Sequence, residues 1–197
     1  MRKMQICLLF SVFLVLFGCV PSDGGETAQT GADRFIQRQA LSAGFSARIS
    51  FRLTYPRGSE EYICRVTSHK NGDGEIALLE PERMRAFSIA SAKGKVAVCF
   101  EDEPYDDGGG LMGMPVSIPD YLWNGVYVLE GQTGEASAEG IVFKKSAGDA
   151  QITLTADPES EKPLYMQIAS KDIGCEVTFL QFDYLYNDDV EKEKNNG

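Results

Sequence analysis

Histidine, tryptophan and cysteine are scarce in this sequence, which has one His, one Trp and five Cys in 197 residues. His69 is the only histidine, and the sequence contains no GxSxG motif that would supply a nucleophile for it to activate. A Ser-His-Asp hydrolase is therefore not indicated, and His69 is interpreted as an exposed turn residue. Cys64, Cys99 and Cys175 show neither CxxC nor Cys/His spacing, so no common zinc or redox motif is present. We predict three small buried hydrophobic residues; one disulfide with one free thiol is the alternative.

Positive charge is also in short supply, with 19 Lys and Arg against 29 Asp and Glu and a formal net charge of −10. So acidic a surface repels nucleic acid and anionic bilayers, and a basic protein partner is favoured. The acidic runs at 71–75 and 101–107 lack the spacing of a calcium loop, so no metal and no cofactor is predicted. A carboxylate-based envelope hydrolase is kept as an alternative of another class, because the sequence does not place two carboxylates at a catalytic separation.

Only one long apolar run is present, at 6–17, directly after Arg2 and Lys3. It is little more than half of the about 20 residues that a membrane-spanning helix needs, and charge followed by an apolar run is typical of a signal peptide. The run ends in LFGC at 16–19, which resembles the lipobox of bacterial lipoproteins. The resemblance implies cleavage after residue 18, acylation of Cys19 and a lipid anchor on the extracytoplasmic side of the cell membrane. An ordinary signal peptide, cut before an unmodified cysteine, is the alternative.

The rest of the chain divides by composition into three parts. Residues 19–32 are mostly small and polar, which predicts a lipidated flexible tether behind the signal peptide at 1–18. Residues 33–186 have enough apolar residues for one folded domain. The charged segment 187–197 is predicted to be a disordered tail.

Alternation of apolar and polar residues dominates the domain and predicts a mainly β (α+β) fold of antiparallel hairpins. The longest example is 45–55, where every second residue is apolar, as in a strand with one buried face. A short amphipathic helix is predicted at 33–43, one or two helical turns at 82–87, and a buried helix at 119–129 with proline in its first turn. The predicted strands are 45–55, 61–68, 75–79, 88–92, 95–100, 138–144, 150–156, 163–169 and 175–184.

This order of elements, together with the lipobox, resembles the superfamily of LolA, LolB and related lipoproteins. The best local matches are LLEPERMRAFSI at 78–89 and IPDYLWNGVYVLEG at 118–131. The resemblance implies a curved antiparallel sheet, an open half-barrel, with a few helices on its concave side. The chain is also similar to GerS-type lipoproteins, which share this fold and act through a protein partner.

The segment 111–129 combines flexible and aromatic apolar residues next to three consecutive glycines. In a half-barrel it is expected to form a lid over an apolar cavity that accepts an acyl chain or an apolar segment of a partner. The alternative is a helix that fills the concavity permanently. The candidate binding residues are Phe51, Leu53, Met112, Met114, Trp123 and Tyr127.

The leading hypothesis is therefore a non-enzymatic, membrane-anchored envelope lipoprotein that binds a protein partner or an apolar ligand. A lipid or lipoprotein carrier with a hydrophobic cavity is the first alternative, and the envelope hydrolase is the second. A continuous cavity lined by Phe51, Leu53, Trp123 and Phe179 would favour the carrier. A filled concavity beside an exposed apolar edge would favour a protein partner or a swapped homodimer.

Overall fold

The computed structural model describes residues 24–56, 58–92, 95–104, 117–128, 132–171 and 173–187. Within that part, eleven strands form one antiparallel sheet in the order β6-β5-β4-β3-β2-β1-β11-β10-β9-β8-β7. The strands are β1 (Gly44–Tyr55), β2 (Gly58–His69), β3 (Gly74–Glu80), β4 (Phe87–Ala92), β5 (Lys95–Phe100), β6 (Glu103–Pro104), β7 (Glu135–Ser137), β8 (Gly140–Ala147), β9 (Ala150–Ala156), β10 (Pro163–Ala169) and β11 (Gly174–Leu185). The helices are α1 (Gly24–Leu41), α2 (Ser117–Asn124) and the 3₁₀ turn Glu82–Met84.

The path of the chain places the first and last strands at the centre of the sheet and leaves β6 and β7 at its two edges. Neighbouring strands meander outward from β1 to β6, and the second run of strands returns inward from β7 to β11. The last strand then pairs with the first, over a register from Gly44 opposite Leu185 to Thr54 opposite Gly174. The predicted mainly β fold, a curved antiparallel sheet with helices on one face, is confirmed.

The alternation seen in the sequence decides which face of the sheet is buried. In β1, Phe45, Ala47, Ile49, Phe51 and Leu53 are buried, and the residues between them are exposed or half-buried. Because side chains of a strand point to opposite faces in turn, the apolar set forms the concave core and the polar set covers the convex face.

Three β-bulges interrupt the ladders, and each leaves a leucine without a partner across the strands. The register skips Leu79 between β2 and β3, Leu164 between β9 and β10, and Leu180 between β1 and β11. A bulge bends its strand and increases the local twist, so these insertions help to curve the sheet. Leu164 and Leu180 are 40% and 48% exposed.

Helix α1 packs one stripe of residues against the sheet. Ala32, Phe35 and Gln39 are buried at the spacing of one helical face, and the Phe35 ring stacks on Phe143 of β8 with centroids 5.3 Å apart. Arg38 forms an ion pair of 3.1 Å with Glu161 in the β9–β10 turn. The helix begins at Gly24, earlier than the predicted domain start at residue 33. Ala32, which precedes that predicted start, belongs to the buried stripe of the helix.

Helix α2 is shorter than the predicted helix at 119–129, since it ends at Asn124. The chain turns at Gly125, whose amide donates to the carbonyl of Tyr121 (2.7 Å). A side chain at Gly125 would collide with that carbonyl and with Met166 of β10, so the close approach requires glycine. Neither helix in the described part of the chain is long and apolar enough to cross a membrane.

Candidate functional site

A buried glutamine joins α1 to the chain after α2. Gln39 is 3% exposed, and its Nε2 donates to the carbonyl of Val126 (2.8 Å) while its Oε1 accepts from the amide of Val128 (2.9 Å). One side chain thus satisfies two backbone groups of the segment 126–128, as a neighbouring strand would. This contact explains why the chain leaves the helical path after Asn124 and runs beside α1.

Two lysines satisfy the last carbonyls of the two helices. Lys70 donates to the carbonyls of Gln39 (2.5 Å) and Ala40 (3.0 Å), so it holds the end of α1 against the β2–β3 turn. Lys145 donates to the carbonyls of Asn124 (3.0 Å) and Tyr127 at the end of α2. A cation is favourable at a helix C-terminus because the unpaired carbonyls carry partial negative charge.

Lys145 fulfils this role from a half-buried position. It alternates with Ile141 and Phe143 on the concave face of β8, and burial lowers the pKa of its ammonium group to about 8. The lysine therefore carries a desolvation cost that its two carbonyl partners offset only in part.

A cleft of about 620 Å³ opens between α1, Lys70 and the segment 126–128. We call it the α1 cleft; its lining residues are Asp33, Ile36, Gln37, Gln39, Ala40, Lys70, Tyr127 and Val128. Ile36, Ala40 and Val128 contribute apolar surface, and Lys70 and Asp33 add one charge of each sign. Burial raises the pKa of Tyr127, so its phenol stays protonated at neutral pH. The cleft can thus hold an apolar group and offer polar contacts at its edge.

Trp123 lies in the core and does not line the cleft. It is 5% exposed, and its carbonyl accepts a hydrogen bond of 3.4 Å from the hydroxyl of Ser68 at the end of β2. A side chain on Gly74 of β3 would come within 2.8 Å of the indole nitrogen, so glycine allows the ring to reach the sheet. The buried indole N–H has no hydrogen-bond partner among the described residues.

Phe51 and Leu53 are part of the packed interior of the sheet. Neither has any exposed surface, and the ring of Phe51 stacks on Tyr62 with centroids 5.0 Å apart. A cavity wide enough for a ligand would leave accessible surface on the residues that line it. Phe51 and Leu53 therefore do not line an open cavity in this conformation, whereas Phe179, the fourth residue of the expected cavity, is half-buried.

Of the four candidate binding residues that the structure describes, Phe51, Leu53, Trp123 and Tyr127, only Tyr127 lines the α1 cleft. Cys19, Met112 and Met114 lie outside the described residues. The sequence analysis missed Gln39, Lys70 and Val128 as lining residues. The available signal was Gln39, a polar residue four positions after Phe35 on an otherwise apolar helix stripe.

The reactive groups of the domain do not converge. Cys64, Cys99 and Cys175 are all unpaired, and burial raises the pKa of Cys64 and Cys175 to about 12, as expected for inert core thiols. His69 is the last residue of β2 and is half-buried, which corrects its interpretation as an exposed turn residue. Among the described ranges, no three His, Cys, Asp or Glu side chains are grouped as metal ligands would be.

No family model matches the chain, and no curated protein is significantly similar to it in sequence. Several solved structures are similar in fold. A LolA superfamily protein from Nitrosomonas europaea is 12% identical, with 79% of this chain and 94% of that chain covered and a TM-score of 0.41. A DUF1329 family protein from Desulfovibrio piger is 10% identical (83% and 94% covered, TM-score 0.44), and LprF from Mycobacterium bovis is 14% identical (80% and 92% covered, TM-score 0.34). The LolA superfamily, which the sequence resembles, is thus represented among them, but these identities and scores are too low to transfer a function or a residue's role.

Proposed function

We propose that this protein is a non-enzymatic binding module of the bacterial cell envelope, anchored through acylated Cys19, whose α1 cleft receives an apolar segment of a partner protein. The observation that carries the proposal is the cleft itself, with its apolar lining and its polar edge. The anchor rests on the lipobox and on the charged and apolar run before it.

The packing of the concave face favours a protein segment over a stored lipid. A carrier needs an accessible interior, and the innermost aromatic and aliphatic residues, Phe51 and Leu53, have no accessible surface. The α1 cleft instead lies between a helix and an irregular segment, where a side chain or a short peptide can enter from outside. The excess of acidic residues adds attraction for a partner with a basic surface around its apolar segment.

A lipid-like ligand is the second candidate, because of the size of the cleft. Its volume of about 620 Å³ lies within the range of roughly 300–1,000 Å³ that is usual for small-molecule sites. An acyl chain could pack on Ile36 and Val128 with its polar end near Lys70. The experiment below therefore separates lipid from protein.

Site-specific photo-crosslinking in the full-length, membrane-anchored protein tests both candidates. A photoreactive residue replaces Gln37, which is exposed at the cleft, and in a matched control it replaces Gln167, which is exposed on β10 away from the cleft. Mass spectrometry after lipid extraction identifies the adducts. We expect a discrete protein adduct from position 37 and none from position 167.

A stoichiometric lipid adduct at position 37 would replace the protein partner with the second candidate. Equal labelling at both positions would reject the α1 cleft as the binding site. Filling the cleft with Ala40→Trp provides an independent control, since it should abolish the adduct from position 37, and Ala169→Trp, an exposed strand position outside the cleft, should not.

A further inference from the structure

Two arginines face each other on the convex side of the sheet. Arg48 of β1 lies directly opposite Arg65 of β2, and both side chains are exposed. On its other side Arg48 faces Gln181 of β11, so no acidic residue is directly opposite it on either neighbouring strand. Directly opposed residues in an antiparallel pair have Cβ atoms about 4.5–5.5 Å apart, and like charges at that distance destabilise the sheet.

The fold pairs other arginines but not these two. Four arginines form ion pairs with a glutamate: Arg34 (3.7 Å), Arg38 (3.1 Å), Arg52 (3.8 Å) and Arg85 (3.9 Å). Among the described residues, no ion pair involves Arg48 or Arg65. The chain contains 29 Asp and Glu residues. A shortage of acidic residues therefore does not explain the unpaired arginines.

Arg48 and Arg65 line a depression in the surface of the protein. Its volume is about 210 Å³, and it is lined by Ser46, Ala47, Arg48, Arg65, Leu79, Gln181 and Asp183. Asp183 is the one acidic residue among them, and its exposed carboxylate pairs with Lys162 at 3.1 Å. The arginines, the Ser46 hydroxyl and the Gln181 amide supply hydrogen-bond donors, and a bulge leucine supplies apolar surface.

A second exposed leucine is the chain neighbour of a residue that lines this depression. Leu180 precedes Gln181 in the β-bulge of β11 and is 48% exposed. The convex face thus combines a pair of free cations with an exposed leucine, although most of this sheet face is polar.

We propose that the Arg48–Arg65 depression is a docking site for an acidic segment of a partner protein, in which an Asp or Glu carboxylate lies between the two guanidinium groups and a neighbouring apolar side chain contacts Leu180. Arginine binds carboxylates with paired hydrogen bonds, so two opposed guanidinium groups can enclose one carboxylate. The site is separate from the α1 cleft and does not depend on what that cleft binds. An anionic bilayer is the less suitable occupant, because the net charge of −10 repels an extended negative surface more strongly than a single short segment.

Calorimetric titration of the full-length protein in detergent micelles with a short synthetic peptide of alternating glutamate and leucine tests the site. We expect saturable binding that weakens about tenfold or more in the double variant Arg48→Gln/Arg65→Gln, since charge-assisted hydrogen bonds are lost. Arg52→Gln is the matched control, because Arg52 lies on the same face of β1 but is paired with glutamates; it should change affinity less than about twofold. The same peptide with glutamine in place of glutamate should not bind.

Equal affinity of the wild type and the double variant, or equal binding of the glutamine peptide, would reject the site. Vesicles containing phosphatidylglycerol are the third probe. Arginine-dependent binding to these vesicles without binding to the peptide would assign the arginines to the membrane surface and overturn the proposal.

Thermal unfolding gives a readout that a purely structural role would not produce. If Arg48 and Arg65 repel each other in the free protein, Arg65→Gln should raise Tm by about 1–3 °C while it weakens peptide binding. A lower Tm in Arg65→Gln would mean that the fold already provides a counter-charge, and the proposal would be wrong.

Discussion

The concave and convex faces of the sheet are made by the same strands but differ in what their side chains do. On the concave side of β1, Phe51 and Leu53 are fully buried and fixed by their neighbours. On the convex side, Arg48 and Arg52 are exposed, and of these two only Arg52 has ionic partners among the residues that the structure describes. The concave side thus determines the fold, and the convex side and the α1 cleft keep groups available for recognition.

Removing a large ring from the concave face should have the largest effect on stability. Phe143→Ala should lower the free energy of unfolding by about 4 kcal/mol, because it removes a buried side chain and its stacking contact with Phe35 of α1. Urea unfolding followed by the fluorescence of Trp123, the only tryptophan, measures it. Val142→Ala, at the adjacent half-buried position, should cost about 1 kcal/mol or less; similar losses in the two variants would contradict the two-face description.

Gln39 is a polar residue on the buried side, and its hydrogen bonds are expected to contribute to the free energy of unfolding on a scale similar to that of a buried apolar side chain. Gln39→Leu should lower the unfolding free energy by about 2–3 kcal/mol, since it leaves the carbonyl of Val126 and the amide of Val128 without partners. The comparison is Gln37→Leu, exposed and two positions earlier on α1, with an expected change within about 0.5 kcal/mol. Chemical denaturation should be combined with hydrogen exchange at Val128, whose amide should lose protection in Gln39→Leu only. Retained protection would show that another group holds the segment 126–128.

Lys145 makes the stability of the concave side depend on pH. Its folded pKa, about 8, is below its ordinary value of 10.5, so the unfolded chain binds the proton more tightly between these values. The cost of burying the charged amine is therefore complete below about pH 8 and is relieved as the pH rises towards 10.5.

We expect the unfolding free energy of the wild type, relative to Lys145→Met, to rise by about 1–2 kcal/mol between pH 7 and pH 9.5. Taking the difference removes the opposite trend of Cys64 and Cys175, whose raised pKa makes folding less favourable at alkaline pH. Lys144→Met, which removes an exposed lysine paired with Glu135 at 2.6 Å, is the control and should show no such rise. A pH-independent difference for Lys145→Met would mean that the ammonium group is charged throughout this range.

The smallest effect should come from an exposed bulge residue. Leu180→Ala should change the unfolding free energy by less than about 0.5 kcal/mol, because 48% of the side chain is already exposed. The same substitution at Leu154, which is 1% exposed on β9, should cost about 3 kcal/mol. Thermal or urea unfolding of the two variants under one set of conditions measures the contrast. Similar costs would mean that the bulge leucine carries part of the core.

Much of the fold was predictable because each strand carries its own signal. The predicted strands at 150–156 and 163–169 agree with β9 and β10, and 45–55 agrees with β1 apart from one residue at its start. The predicted burial of Cys64 and Cys175 was also correct, whereas Cys99, predicted to be buried as well, is half-buried because it lies on β5 near the edge of the sheet. The prediction of a longer second helix was wrong: 126–128 is apolar enough for a helix, but the chain turns at Gly125 and Gln39 binds Val126 and Val128 outside any helix.

The candidate site was predictable only in part. Tyr127 belongs to the segment 111–129, whose aromatic and apolar residues mark it in the sequence as a candidate binding segment, and it lines the α1 cleft. Lys70 and Gln39 come from a hairpin turn and a helix, and nothing in their local sequence links them to that segment. The Arg48–Arg65 pair was hidden for the same reason, because each arginine alone is an ordinary exposed residue of a strand.

By itself, then, the sequence determined which residues of each strand are buried and where most strands begin and end. Only the tertiary structure decided that β11 returns to pair with β1, that Gln39 reaches Val126 and Val128, and that two arginines stand opposite each other. The physical reason is range. Alternation and turns act between residues close in the chain, whereas pairing, bulges and clefts depend on contacts between residues far apart in sequence, which local patterns do not encode.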